Sequence, residues 1–411
     1  MNSGGQVMDL TGLDKILAFD PDTGIARVES GVTIRQLWRR TIAHGWWPAV
    51  VPGTMDVSVG GAAAMNIHGK NNYAVGGFGD HVRAFTLALP SGEILSCDRQ
   101  NNVEIFHAAI GGFGMLGCFL EIELQLKKVH SGRLRITTHA ARHLGHAIEI
   151  FDQQGEGADY LVGWHDAYAR GEQLGRGTIH RGELLAEGED LEGQKMMSAE
   201  QQDVPARMFG VVPKAWIWPG MWLMRRCGGT RWVNAAKYHM GVREAKRPPH
   251  LQSHGAFHFL LDYVPGWNKM LSPGGLIQFQ PFVPVSEAES VLTRAIEWSQ
   301  QAGLLPYLLV LKRHRPDPFL MTHAVDGFSM AMDFGVTRGN RDRLWAHCRR
   351  MSEMVLEAGG RFYYAKDATL DSTAFPRIHG ADAVAEFRRL KARCDPQGIL
   401  QSDLSRRLMG T

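Results

Sequence analysis

Residues 51–82, VPGTMDVSVGGAAAMNIHGKNNYAVGGFGDHV, constrain this chain more than any other stretch. Glycine and small side chains dominate it. It shows neither the period of an amphipathic helix nor the alternation of a half-buried strand. Backbone so poorly covered by side chains packs against something large, either another backbone or a flat ligand. The chain is rich in glycine, 47 in all, and this stretch is richer still. The 411 residues suggest two or three domains of roughly 150 residues each. With 44% hydrophobic and 21% charged residues the composition excludes a disordered chain, a collagen-like fibre and a coiled-coil rod. A net charge of +3 is too weak to imply nucleic acid.

Around this stretch short strands and helices alternate. Ile25 to Ser30 reads as a strand, and Thr33 opens a helix with Gln36 three residues on, a capping-box pattern. Val82–Leu89 and Glu93–Ser96 read as strands joined by the turn Pro90-Ser91-Gly92. A helix over Val103–Ile110 runs into GGFGMLG, and Phe119–Lys127 then alternates as a half-buried antiparallel strand. Farther on, Glu183–Gln194 reads as a charged linker, Ser286–Gly303 and Arg341–Gly359 as amphipathic helices, and Tyr307–Leu311 as an apolar strand. The expected class is α+β, with a second domain inserted into the first.

Several motifs have two readings. GFGMLG at 112–117 matches G-x-G-x-x-G, but a dinucleotide fingerprint needs a strand before and a helix after. Here the order is reversed, which favours a glycine-permitted turn. His139, His143 and His146 could share one helical face, yet no carboxylate or cysteine nearby completes a metal site, so no metal is expected. Five cysteines without a C-x-x-C pair, and a start, MNSGGQ, unlike a secretory signal, suggest a reducing, cytoplasmic setting. No window is long and apolar enough for a membrane span. The segment 211–232 sets Trp216, Trp218, Trp222 and Trp232 beside Lys214, Arg225, Arg226 and Arg231. That suits a lipid headgroup boundary, hence peripheral membrane contact, or an amphiphilic, anionic ligand, while a helix packed on the second domain with its arginines on the wet side is the favoured reading. Lys312 follows the apolar run YLLVL, and Lys366 lies in RFYYAKD. A lysine entering an apolar pocket loses pKa and can act as a base or hold an anion, whereas a salt bridge of Lys366 with Asp367 or a neighbour is the reading that the residues alone favour.

Together these segments resemble the FAD-linked oxidases of the vanillyl-alcohol-oxidase type, which carry a PCMH-type FAD-binding domain. The likeness rests on Pro52-Gly53-Thr54, Val59-Gly60-Gly61, Ile67-His68-Gly69-Lys70-Asn71 and Phe78-Gly79. It resumes at Gly111–Gly117, Trp164, Gln278, Gln280 and Lys312, and ends in GGRFYYAKD and the SDLSRRL of 402–408. The match spans nearly the whole chain and is poor from about 170 to 255.

The resemblance implies FAD as cofactor and oxidation of a secondary alcohol of a sugar, in one version a polyprenyl-phosphoryl pentose. An aldonolactone or free sugar alcohol is the alternative substrate, and a short-chain reductase an implied partner. Gly53, Thr54, Ser58, Val59, Gly60, Gly61, Asn66 and His68 would line the FAD, with backbone N–H groups meeting its pyrophosphate and ring system. Gly117 and Phe119 would lie on the adenine side, and Tyr363 would touch the flavin near the substrate. Lys366, with Tyr363, would be catalytic at the substrate hydroxyl. Lys70, Trp164, His258, Gln278, Gln280, Lys312 and Ser329 would form the substrate pocket. His258 stands where the family has a tyrosine, and Ser329 and Ala331 where it has an asparagine and a reactive cysteine. The family's R-G-x-G-R-S-Y-G-D loop belongs upstream of SGGQVMDLT, so the sequence reads as N-terminally truncated, and a flavin-free binding remnant is a third expectation. The implied division is an FAD-binding domain over 1–129, a substrate domain over 130–365, and a return to the FAD-binding domain over 366–411.

Overall fold

A computed structural model describes residues 3–203, 207–208, 212–213, 217–226, 228–263 and 274–410. The chain is α+β. Its first sheet has strands β1 (Ile16–Phe19), β2 (Ile25–Glu29), β3 (Val82–Ala88), β4 (Ile94–Asp98) and β5 (Cys118–Gln125), in the order β1-β2-β5-β3-β4. Every neighbouring pair is antiparallel. The alternation read in the sequence accounts for Ile122 and Leu124, which are buried while Glu121 and Glu123 are only partly so, whereas a register shift against β3 at Thr86 and Leu87 puts Phe119 rather than Leu120 inside. Helix Ile34–Thr41 begins at the expected capping box, with Thr33 and Gln36 satisfying each other's backbone N–H groups.

The second sheet has nine strands: β6 (Arg133–Ala141), β7 (Tyr160–His165), β8 (Gly177–Leu184), β9 (His250–Ser253), β10 (Leu276–Phe279), β11 (Pro281–Pro284), β12 (Leu309–His314), β13 (Gly327–Gly335) and β14 (Arg361–Phe362). Their order is β9-β6-β8-β7-β12-β13-β11-β14, with β10 also pairing β13. Helices Val285–Gln301 and Arg341–Glu357 bury the apolar faces that their sequence period requires, and Ser299 Oγ meets His347 Nε2 between them at 3.0 Å. The C-terminal helices Ala374–His379, Ala381–Cys394 and Asp403–Met409 bring the chain back to its beginning. Phe387 packs on Phe113 at 5.6 Å, Arg389 reaches Glu104 at 2.6 Å, and Asp403 accepts from Ser3 N–H at 3.0 Å.

Three expectations change. Glu183–Gln194 is not a free linker: Asp190 is clamped by Arg133 and by Ser131 Oγ at 2.6 Å, and Glu189 pairs with Arg135. The histidines of THAARHLGHA do not share a helix, since His139 is on β6 and His143 caps helix Leu144–Gln154, its Nδ1 accepting from His146 N–H at 3.2 Å. The strand expected to end at Leu311 runs on to His314, which puts Lys312 inside it. GFGMLG is the turn expected, between helix Val103–Ala109 and β5, with Gly111 and Gly114 at φ +75° and +74°. A side chain at Gly112 would strike Ala108 O at 2.2 Å, so this turn serves packing. Of the aromatic segment, Lys214 and Trp216 lie outside the described residues, while Trp232 is 66% exposed beneath Arg231. No described helix is long and apolar enough to cross a membrane.

Candidate active site

Strand register assembles the site. Ser329 on β13 lies opposite Lys312 on one side and Phe282 on the other, and Asp333 lies opposite Gln278. Ala331 faces Val310, which faces Trp164 on β7. Directly opposed residues point to the same side of a sheet, and so do residues two apart. One face of the sheet therefore carries Trp164, Lys312, His314, Ser329, Asp333 and Gln278. The alternate positions, Leu309, Leu311, Phe328, Met330 and Met332, are fully buried under the helices. An antiparallel sheet with one apolar face and one polar, half-open face is a natural floor for a ligand.

Two further segments lean over this floor. The glycine-rich stretch brings His68 and Lys70, docked to β7 by Leu161 N–H donating to Lys70 O at 2.8 Å. The turn after β14 brings Tyr363 and Lys366. Lys366 Nζ donates to Gln280 Oε1 at 3.1 Å, and Gln280 Nε2 lies 3.1 Å from His68 Nε2 and 3.2 Å from Ser329 Oγ. His314 Nε2 completes the chain, 2.7 Å from Ser329 Oγ. Lys312 Nζ approaches His68 Nδ1 at 3.4 Å, and the Tyr363 ring lies 5.1 Å from that of His68. The salt bridge of Lys366 with Asp367 does not form, because Asp367 takes Arg407 at 2.7 Å and the N–H groups of Thr369 and Leu370.

Electrostatics follow from enclosure. Burial lowers Lys366 to about 8, with Asp333 acting the other way. Lys366 is nonetheless exposed, so solvent and substrate reach its ammonium while Gln280 and Asp333 lie buried beside it. Burial lowers Lys70 to about 7, and burial with the neighbouring charges of Lys366 and Lys70 takes Lys312 well below its ordinary value. Lys70 spends its ammonium on the carbonyls of Phe257 and His258. Among the described residues none of these three lysines has a salt bridge, so whatever charge they carry has no carboxylate to balance it.

The remaining expected residues are spread around this centre. Thr54 Oγ1 donates to Asp262 Oδ1 at 2.8 Å, pinning the Gly53–Met55 turn beneath Leu261. Ser58 caps the short helix Val59–Ala64, accepting from Gly61 N–H at 3.2 Å. The N–H groups of Val59 and Gly60 go to the carbonyls of Val32 and Ser30, which takes both out of the set that could meet a pyrophosphate. Asn66, at φ +42°, commits its side chain to Asp317 Oδ2 and Gly79 N–H at 3.0 and 2.9 Å. Gly117 is buried against Leu87, and Phe119 packs edge-on to Phe85 at 4.8 Å. His258 is buried between Trp47 and Tyr160, its carbonyl rather than its ring meeting Lys70. Trp164 lies under Lys237 Nζ at 4.2 Å. Sequence reading missed His314, His323, Phe282 and Asp333. The signal for His314 was its place two residues after Lys312, hidden because the strand was expected to end at Leu311.

Two features suit a flavin dinucleotide. Bare backbone lies open at Gly53, where an added Cβ would meet only Leu261 at 3.5 Å, and at Gly61, where it would meet only Ser58 Oγ. The donor set of Lys366, Gln280, Lys312 and His68 presents polar hydrogens and positive charge at one place. Comparison with known proteins agrees: residues 1–98 match the family of FAD binding domains. The chain is an FAD-linked oxidoreductase. Over 99% of its length it is 28% identical to decaprenylphosphoryl-beta-D-ribose oxidase of Mycolicibacterium smegmatis, spanning 85% of that protein. It is 26% identical to an uncharacterised Streptomyces coelicolor protein from the mprA 5' region, over 92% of this chain and all of that one. A D-arabinono-1,4-lactone oxidase of Yarrowia lipolytica is 26% identical over 40% of this chain and 31% of its own length.

Proposed function

We propose that this oxidoreductase oxidises a secondary hydroxyl of a sugar, with a polyprenyl-phosphoryl pentose as the favoured substrate. The observation that carries the reading is Lys366, held by Gln280 Oε1 in a cleft where its pKa is drawn down to about 8. Removing hydride from a carbinol carbon also requires removal of the hydroxyl proton. FAD, when bound, supplies the hydride acceptor. Gly53, Thr54, Ser58, Gly61, His68 and Tyr363 are the residues that would hold it. Lys366 in its neutral form takes the hydroxyl proton at Nζ, and Gln280 keeps that nitrogen in place. Lys312, which has no carboxylate partner among the described residues, is placed to take a proton beside an anionic group, which suits a phosphate-bearing substrate over a neutral one. Tyr363 and the buried histidines around His68 wall water from this side of the cleft.

The name of the mycobacterial relative supports the lipid-linked pentose, and the lactone oxidase supports a soluble aldonolactone as second reading. Parallel assays of flavin reduction with a polyprenyl-phosphoryl pentose and with aldonolactones separate them. Faster reduction by the lactones would reverse the preference. No reduction by either, in protein that retains FAD, would sink both. The lipid-linked version also places exposed Trp232 at a membrane surface, so Trp232→Ala should weaken binding to anionic vesicles, and unchanged binding would remove that part.

A further inference from the structure

We infer that His314 is a positioning residue for Lys366, acting through Ser329 and Gln280. The inference rests on the reading of Lys366 given above. Four side chains from four segments form one hydrogen-bonded line: His314 Nε2 to Ser329 Oγ at 2.7 Å, Ser329 Oγ to Gln280 Nε2 at 3.2 Å, and Gln280 Oε1 to Lys366 Nζ at 3.1 Å. His314 and Ser329 are fully buried and Gln280 nearly so, which shields the line from bulk water.

The polarity of this line is the argument. An amide has one accepting end and one donating end. For Gln280 to offer its oxygen to Lys366, its NH2 group must face His68 and Ser329, and Ser329 Oγ must accept. The single hydroxyl hydrogen of Ser329 then has to leave in another direction, and His314 Nε2 is the acceptor at hydrogen-bond distance. That arrangement calls for His314 as the neutral imidazole with its proton on Nδ1, a buried nitrogen that has no protein partner among the described residues. Burial first, and then Lys312, His323 and Arg313, hold its pKa well below the ordinary value, so that form persists at neutral pH. A protonated His314, or none, would release the serine hydrogen toward Gln280. The amide would then present NH2 to Lys366, and the ammonium would lose its acceptor. Phe282 packs on the His314 ring at 4.5 Å and fixes its plane. The titratable and charged groups about the line are His68, Lys312, Arg313, His323, Tyr363 and Asp333.

A hydrogen bond accepted from the ammonium favours the charged lysine, so turning the Gln280 amide lowers the pKa of Lys366. The test reads that pKa without turnover: the pH dependence of Lys366 acylation by acetic anhydride, followed by mass spectrometry of the FAD-loaded protein. The midpoint should lie near 8 in the parent and move down by about one pH unit or more in His314→Phe. His314→Gln keeps an acceptor and should stay near the parent value. Ser329→Ala has no hydroxyl hydrogen to turn onto Gln280, whose NH2 group keeps His68 as acceptor, so it should also stay near the parent value and should restore the midpoint when combined with His314→Phe. Flavin reduction should slow about tenfold or more in His314→Phe alone. An unmoved midpoint in His314→Phe would overturn the inference, as would a double variant that stays shifted. His314→Leu removes the same acceptor and carries the test if His314→Phe does not fold. If Lys366→Ala reduces flavin normally, the assignment of Lys366 fails, while the labelling midpoints still decide whether His314 governs it.

Discussion

At the scale of single residues, function here depends on which charge has which partner. Lys366 is available because Asp367, its neighbour in sequence, is fully engaged by Arg407 and two backbone N–H groups. Lys366→Ala should lower the rate of flavin reduction by about 10²–10⁴-fold, with bound FAD unchanged, as read by stopped-flow and by the visible spectrum after gel filtration. Normal reduction would refute the role. With the neutral amine as base, the rate in the parent should rise with pH through about 8, and a rate falling through that range would assign the ammonium instead. Asp317 makes a second prediction. Burial raises its carboxyl from 3.8 to about 6, despite hydrogen bonds from Asn66 and Phe319. A raised carboxyl pKa means that the fold takes up a proton, so this contribution is full below about 4 and is lost as pH rises to about 6. The slope reaches about 1.4 kcal/mol per pH unit. Asp317→Asn should flatten stability against pH across that window in urea melts, and an unchanged slope would contradict it.

At the scale of elements, glycine separates close packing from ligand contact. A Cβ at Gly117 would come within 2.6 Å of Leu87 Cγ and 2.8 Å of Ala88 O, between β5 and β3. Overpacking of that kind costs about 1–3 kcal/mol. Gly117→Ala should therefore lower thermal stability while FAD stays bound well below the melting point. Loss of FAD from a variant that melts like the parent would return Gly117 to the cofactor side. At Gly61 the backbone is exposed and a Cβ would meet only Ser58 Oγ, so Gly61→Val should leave the fold intact and weaken FAD retention. Equal FAD content in that variant would remove Gly61 from the cofactor set.

At the scale of the molecule, the C-terminal helices decide whether Lys366 stays over the sheet. They are joined to helix Val103–Ala109 and the turn after it in two ways, by buried Phe387 against Phe113 of the turn and by Arg389 and Arg393 against Glu104 of the helix. The arginine pairs are half-exposed, and such pairs contribute about 0–1 kcal/mol. Phe387 is fully buried, and its truncation to alanine costs about 3–5 kcal/mol. Phe387→Ala should lower the melting temperature sharply, and Arg389→Ala should barely move it. The reverse order would mean that ion pairs rather than packing hold the chain's end.

The sequence by itself determined the local pieces, because local pieces obey local rules. Period two set β5, the capping box started the helix at Ile34, and the reversed order around GFGMLG excluded a dinucleotide fingerprint. It also marked Lys366, Lys312, His68 and Gln280, through a resemblance and through lysines placed beside apolar runs. Strand pairing was beyond its reach, since register joins residues far apart in the chain: Ser329 with Lys312 and Phe282, Asp333 with Gln278. That register alone set His314 next to Ser329 and gave Gln280 its direction. Tertiary structure also turned some expected ligand positions inward, as with His258 and Asn66, whose local sequence fits a pocket as well as a core. Which one a side chain joins depends on what the rest of the fold brings against it, and that is decided by packing over long distances in sequence.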